Sequence, residues 1–146
     1  WDIESAVLGC ASFNELADIV FIAHRDAIAL YDAPVDTNRA VQHMRTKLND
    51  RLIVLTRGAD GAICCTPDGH TVTTTAFAAH GSGRVGGGDA FAAGFLSRYI
   101  ETDSVDQALR WGAAAAAYKY TIPGDMPLIN RDQLRDIIVG AEGIQR

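Results

Sequence analysis

Three consecutive glycines closed by an acid, Gly86-Gly87-Gly88-Asp89, form the stretch of this sequence best suited to chemistry. Residues without side chains let successive backbone N–H groups turn toward one ligand, and they leave nothing in its way. Helical sequence follows from Asp89 to about Ile100, so these amides stand at a helix start, where the positive end of the helix dipole also favours an anion. Asp89 admits two readings at this point. It is either an N-cap behind a flexible loop, a common place for aspartate, or a base. A base here would take the proton from a hydroxyl that attacks a phosphoryl group held by the neighbouring amides.

Other chemistry-bearing patterns are weaker. Gly81-Ser82-Gly83-Arg84-Val85-Gly86 matches the dinucleotide pattern G-x-G-x-x-G letter by letter. That fingerprint needs its first glycine directly behind a strand and an acid about 20 residues on, at the end of a second strand. Here no second strand follows, and the match is accidental. A P-loop ending in Gly-Lys-Ser/Thr is absent, so an ATP site would have to work without one. The four histidines are scattered with no i,i+4 pair, which excludes a helical zinc site. Cys10, Cys64 and Cys65 show no Cys-x-x-Cys spacing. Adjacent strand residues point to opposite faces, so Cys64 and Cys65 suit neither a disulfide nor a shared metal and read as small hydrophobes.

The elements that position the glycine run follow from periodicity. A helix is expected over Ser5–Ala17, with Ala6, Cys10, Phe13 and Ala17 along one side. Ile19–Ile22 and Leu52–Leu55 are continuous apolar runs, as expected of strands buried on both faces. Between them lie a short helix over Arg25–Tyr31 and a longer one capped by Asp36 or Thr37 and running to about Leu48. Gly58-Ala59-Asp60-Gly61 and Pro67-Asp68-Gly69 are turns around a strand at Ala62–Thr66, and Thr71–Phe77 is rich in β-branched residues, giving a hairpin. Ser104 caps a helix over Val105–Tyr118, whose Ala113–Ala117 run leaves a flat side for close approach, and a last helix runs from Asn130 or Arg131 to Val139. Alternating helices and apolar strands define an α/β chain with a mostly parallel sheet and an added β-hairpin.

Composition narrows the class. With 146 residues and 48% apolar content the chain is the size of a single domain over 1–146. The net charge of −5, with only two lysines (Lys47 and Lys119), excludes a basic phosphate-tracking face, so no nucleic-acid partner is expected. No apolar run approaches a membrane span and no basic-then-apolar leader opens the chain, so a cytoplasmic protein is expected.

Longer context decides how Asp89 reads. Arg84-Val85-Gly86-Gly87-Gly88-Asp89-Ala90-Phe91-Ala92-Ala93-Gly94-Phe95 resembles the signature of ribokinase-like (PfkB) carbohydrate kinases, D-T-x-G-A-G-D followed by a small-and-aromatic helix start. Val54-Leu55-Thr56-Arg57-Gly58-Ala59-Asp60-Gly61-Ala62 resembles that family's strand and turn beside the nucleotide phosphates, and Trp111–Ala117 its helix near the adenine. Arg-Val-Gly-Gly-Gly-Asp, together with Lys119-Tyr120-Thr121-Ile122-Pro123-Gly124-Asp125, is similar to 2-keto-3-deoxygluconate kinases.

The resemblance implies the C-terminal half of a Rossmann-type α/β/α sandwich that transfers the ATP γ-phosphate to a sugar-acid hydroxyl. In that reading Asp89 is the base and meets the substrate hydroxyl, and the amides of Gly86, Gly87 and Gly88 stabilise the phosphoryl charge. Thr56, Gly58, Asp60, Gly61, Arg84, Gly86, Gly88 and Ala114 line the nucleotide, Mg²⁺ bridges its phosphates, and Asp125 lies near the sugar acid. The sequence departs from the family at Gly83, where the signature has aspartate, and at Ala23-His24-Arg25-Asp26, where the family has Asn-x-x-Glu. The substrate lid and N-terminal half of the family have no counterpart, so self-association or pairing with such a half is expected. A kinase for another sugar and a non-catalytic nucleotide-binding remnant remain the alternative readings.

Overall fold

The apolar runs become strands because each can bury side chains on a sheet. β1 (Ile19–Ala23) and β2 (Leu52–Thr56) pair in parallel, with Ile19 opposite Leu52 and Ala23 opposite Thr56. β3 (Ala62–Cys65) returns antiparallel to β2, with Val54 opposite Cys64. β4 (Thr71–Thr74) follows it, giving the order β1-β2-β3-β4. The hairpin turn is closed by the Thr66 N–H donating to the His70 carbonyl at 2.9 Å, with Gly69 at φ 90°. The Thr66 hydroxyl and the Asp68 carboxylate are also hydrogen-bonded, and this holds the Asp68 carboxyl below its ordinary range. This computed structural model describes residues 3–81, 85–124 and 128–143. It divides into two compact units, 1–57 with 62–73 and 58–61 with 74–146.

In the first unit, α2 (His24–Tyr31) and α3 (Thr37–Lys47) supply Ala27, Tyr31, Ala40, Val41 and Met44 to a core shared with Ile53, Leu55, Ile63 and Cys65. The odd-numbered strand residues share a face because strand side chains alternate. Asp36 caps α3, its carboxylate accepting from the Arg39 N–H at 2.9 Å. β2 and β3 are covered on both faces. Burial pushes the Cys64 thiol up to about 12, with Cys65 adding to the rise, and burial raises Cys65 as well. Two expectations are corrected here. Among the described residues β1 pairs with β2 alone and lies at the sheet edge, and all five of its residues are half-buried rather than enclosed. α1 (Ile3–Leu16) forms, but Cys10 and Phe13 are exposed, so the stripe drawn through them does not face a core.

The second unit is helical. α4 (Gly87–Thr102) and α5 (Val105–Thr121) pack along each other, and α6 (Arg131–Gly143) packs on α5 through Trp111, Ala114, Ala115 and Leu134. Small residues permit the approach of α4 to α5. A Cβ on Gly94 would stand 2.8 Å from that of Ala115, and one on Gly112 would stand 2.9 Å from the Phe91 carbonyl. The Arg98 guanidinium lies 5.0 Å from the Trp111 ring centroid, a cation–π contact across the pair. The Ser104 hydroxyl accepts from the Gln107 N–H at 3.4 Å to cap α5, and Asn130 and Gln133 cap α6 reciprocally. Among the described residues no helix is long and apolar enough to cross a membrane.

Candidate active site

The glycine run opens α4 two residues earlier than its sequence suggests. Gly86 is the N-cap in a left-handed conformation (φ 80°) without a side-chain cap, and its carbonyl accepts the Ala90 N–H at 2.9 Å. Gly87, Gly88 and Asp89 therefore occupy the first three helical positions, whose N–H groups have no intrahelical carbonyl to bond. Asp89 is not the N-cap. Its carboxylate is exposed in the first turn, with no hydrogen bond or ion pair to any described residue. The arrangement sets an open carboxylate beside a rim of free amides at the positive end of a helix.

The three glycines have three different reasons to be glycine. Gly86 needs a positive φ, which an L side chain rarely adopts. Gly87 is buried, and a Cβ there would meet the Tyr120 hydroxyl at 3.3 Å and its ring at 3.4 Å. Gly88 has neither constraint: its φ is ordinary and a Cβ would meet nothing within 4 Å. Packing within the protein thus explains Gly87, while nothing in the fold requires the bare backbone at Gly88.

The remaining sequence-derived residues separate. Thr56 ends β2 in the first unit, whereas Gly58–Gly61 belong to the second with α4 and α5. Gly58, Ala59 and Asp60 form a 3-10 turn, with Gly58 at φ 61° and Asp60 exposed. Gly61 has φ 83°, and a Cβ there would fall 2.0 Å from the Thr74 carbonyl, so this turn tolerates no side chain. Ala114 is fully buried in a cluster with Trp111, Ala115 and Leu134, whereas Ala116 in the same run is partly exposed. Arg84 and Asp125 lie outside the described residues.

Two residues at the end of α5 carry features that sequence reasoning did not assign to a site. Lys119 is fully buried, its ammonium donating to the Ile122 carbonyl at 3.4 Å. Tyr120 packs on the glycine run through its ring and hydroxyl. A helical sequence with no acid nearby gives no hint that a lysine is buried, and contact with residues more than thirty positions away leaves no local trace.

Among the described residues no group of three or more His, Cys, Asp or Glu could hold a metal ion. At the departure from Asn-x-x-Glu, Asp26 is half-buried and paired with Arg25 at 3.2 Å, and the His24 ring contacts the Pro34 carbonyl at 3.3 Å. These residues do not form a ligand set for a resident cation.

A parallel strand pair extended by a hairpin, with a glycine-started helix on an alanine-rich one, is the ribokinase-like kinase fold. The match to solved structures is close in geometry. The 2-dehydro-3-deoxygluconokinase of Thermotoga maritima superposes with a TM-score of 0.83 at 19% identity, covering 96% of this chain and 46% of that one. A Vibrio cholerae fructokinase bound to fructose, ADP and calcium gives 0.80 at 23% identity, covering 92% and 45%. This chain belongs to the pfkB family of carbohydrate kinases, whose model matches residues 3–130. The 2-dehydro-3-deoxygalactonokinase of Haloferax volcanii is 31% identical over 147 positions, which take in 100% of this chain and 46% of that protein. The acarbose 7(IV)-phosphotransferase of an Actinoplanes species is 34% identical over 126 residues, 84% of this chain and 39% of that protein. The chain spans less than half the length of the relatives it matches.

Proposed function

We propose that this chain is the catalytic half of an ATP-dependent kinase for a 2-keto-3-deoxy sugar acid. The observation that carries the reading is Asp89, an exposed carboxylate with no hydrogen-bond or ion-pair partner among the described residues, three residues into a helix whose first amides have no intrahelical carbonyl to bond. The alcohol of the sugar acid gives its proton to Asp89 as its oxygen attacks the γ-phosphorus. The bond from that phosphorus to the β-bridging oxygen breaks, and ADP leaves. Amides of Gly86, Gly87 and Gly88 stabilise charge on the transferring group, because fixed donors need no reorganisation at the moment of reaction. Thr56, Gly58, Asp60, Gly61 and Arg84 serve the nucleotide, and Asp125 the sugar acid. A divalent ion belongs with the nucleotide phosphates as part of the substrate. The sugar-acid assignment rests on the names of the Haloferax and Thermotoga relatives. The acarbose enzyme supports a kinase for another sugar as the second reading. A cytoplasmic setting fits either.

The test is turnover in a protein of full family length that carries this region, measured by ADP release with 2-keto-3-deoxygalactonate, 2-keto-3-deoxygluconate and fructose. Asp89→Asn should lower kcat by about 10²–10⁴-fold, the usual loss for a positioned base, while ATP binding stays nearly unchanged. Equal turnover by the variant removes Asp89 as the base. Preference for fructose over both acids decides for the second reading.

A further inference from the structure

Arg57 stands in the chain between two residues proposed to serve the nucleotide, Thr56 at the end of β2 and Gly58 at the start of the 3-10 turn. β1 and β2 run parallel and end together, with Ala23 opposite Thr56. In open α/β sheets ligands bind outside the carboxyl ends of such strands. Arg57 is the first residue beyond that end of β2, and Gly58 turns the chain directly behind it with φ 61°.

The fold leaves its guanidinium incomplete. Arg57 is half-buried, its Nε is shut off from water without a hydrogen-bond partner, and the group forms no ion pair with any described residue. Arginine does not give up its proton in a protein, and a charge drawn out of water is costly unless something pairs with it. The carboxylates that follow β1 and β2 do not supply the partner. Asp26 pairs with Arg25, and Asp60 is exposed with no ion pair among the described residues. An enclosed donor that folding leaves unpaired is accounted for by a ligand that completes it. A planar guanidinium matches a phosphoryl group, to which it can offer two parallel N–H groups.

We propose that Arg57 is a phosphate-binding residue, whose guanidinium donates to a phosphoryl oxygen of the nucleotide at the carboxyl end of β2. The unpaired charge lowers the stability of the empty protein, and the ligand completes it. The inference rests on the reading of this chain as part of an ATP-dependent kinase, and the experiment separates the two.

Titration calorimetry of this chain with Mg·ATP and with adenosine, on wild type and Arg57→Met, tests it, with unliganded thermal midpoints recorded alongside. Methionine keeps an unbranched, adaptable stem and removes the charge with its donors. The expected result is about tenfold weaker Mg·ATP binding, the lower range for losing a hydrogen bond to a charged group, with adenosine affinity unchanged. The midpoint should be no lower than that of wild type, because an apolar side chain takes the place of a poorly paired charge. Equal Mg·ATP binding by the two proteins overturns the proposal and leaves the kinase reading standing. A lowered midpoint, or a parallel loss of adenosine binding, assigns Arg57 to the fold and also overturns it. Wild-type protein that binds Mg·ATP no better than adenosine defeats the phosphate-site reading itself, and this inference with it.

Discussion

Gly88 isolates what a ligand demands from what folding demands. Gly86 is held by its φ of 80° and Gly87 by the Tyr120 ring, so substitution at either disturbs the protein before it disturbs a ligand. At Gly88 an added methyl meets only open space, and alanine lies as much as about 1 kcal/mol above glycine in helix propensity. Gly88→Ala is therefore expected to raise the thermal midpoint slightly while weakening Mg·ATP. Pushing an anion off charge-assisted amide bonds forfeits about 1.5–3 kcal/mol, or roughly tenfold and more in affinity. Calorimetry and a melting curve on the same preparation check both halves. A variant that binds ATP as well as wild type would mean that the phosphate does not approach this amide.

Among the elements, the α4–α5 pair sets the position of the glycine run, because α4 begins at Gly87 and the last turn of α5 packs on it. The pair is close because Gly94 and Gly112 leave room, so the fold depends on what these helices lack. A methyl on Gly94 would fall 2.8 Å from both the Ala115 methyl and the Trp111 carbonyl. Gly94→Ala should therefore destabilise by about 1–3 kcal/mol, as overpacking does, despite the better helix propensity of alanine. Gly140 in α6 has nothing within 4 Å of a Cβ position and no positive φ, and Gly140→Ala should stabilise by about 0.5–1 kcal/mol. Urea midpoints of the two variants should move in opposite directions. Movement in the same direction would show that close approach is not what Gly94 provides.

For the molecule as a whole, the exposed apolar surface is the governing fact. Among the described residues β1 is the edge strand, a run of continuous apolar sequence, and α1 exposes Phe13 (75%) and Leu16 (83%). Free strand edges and uncovered apolar faces recruit other chains. The chain alone is expected to self-associate, seen as a scattering mass above that of one copy and rising with concentration. Phe13→Glu with Leu16→Lys should reduce it. A concentration-independent monomer would contradict this reading.

What the sequence determined by itself were the features written locally. Apolar runs named the strands, Asp36 and Ser104 marked the starts of α3 and α5, and the Pro67–Gly69 turn marked the hairpin, because each depends on neighbours a few residues away. The glycine run and Asp89 were legible for the same reason. Only the tertiary structure decided the rest. Which of Ile19–Ile22 and Leu52–Leu55 forms the edge cannot be read from two equally apolar runs, and Cys10 and Phe13 on α1 turned out exposed. Ala114 is core because Leu134 closes over it with Trp111, and Tyr120 reaches Gly87 only because α5 folds back along α4. Contacts between residues twenty or more positions apart are fixed by how helices pack, and no local pattern of side chains encodes which of two equally apolar faces will be covered.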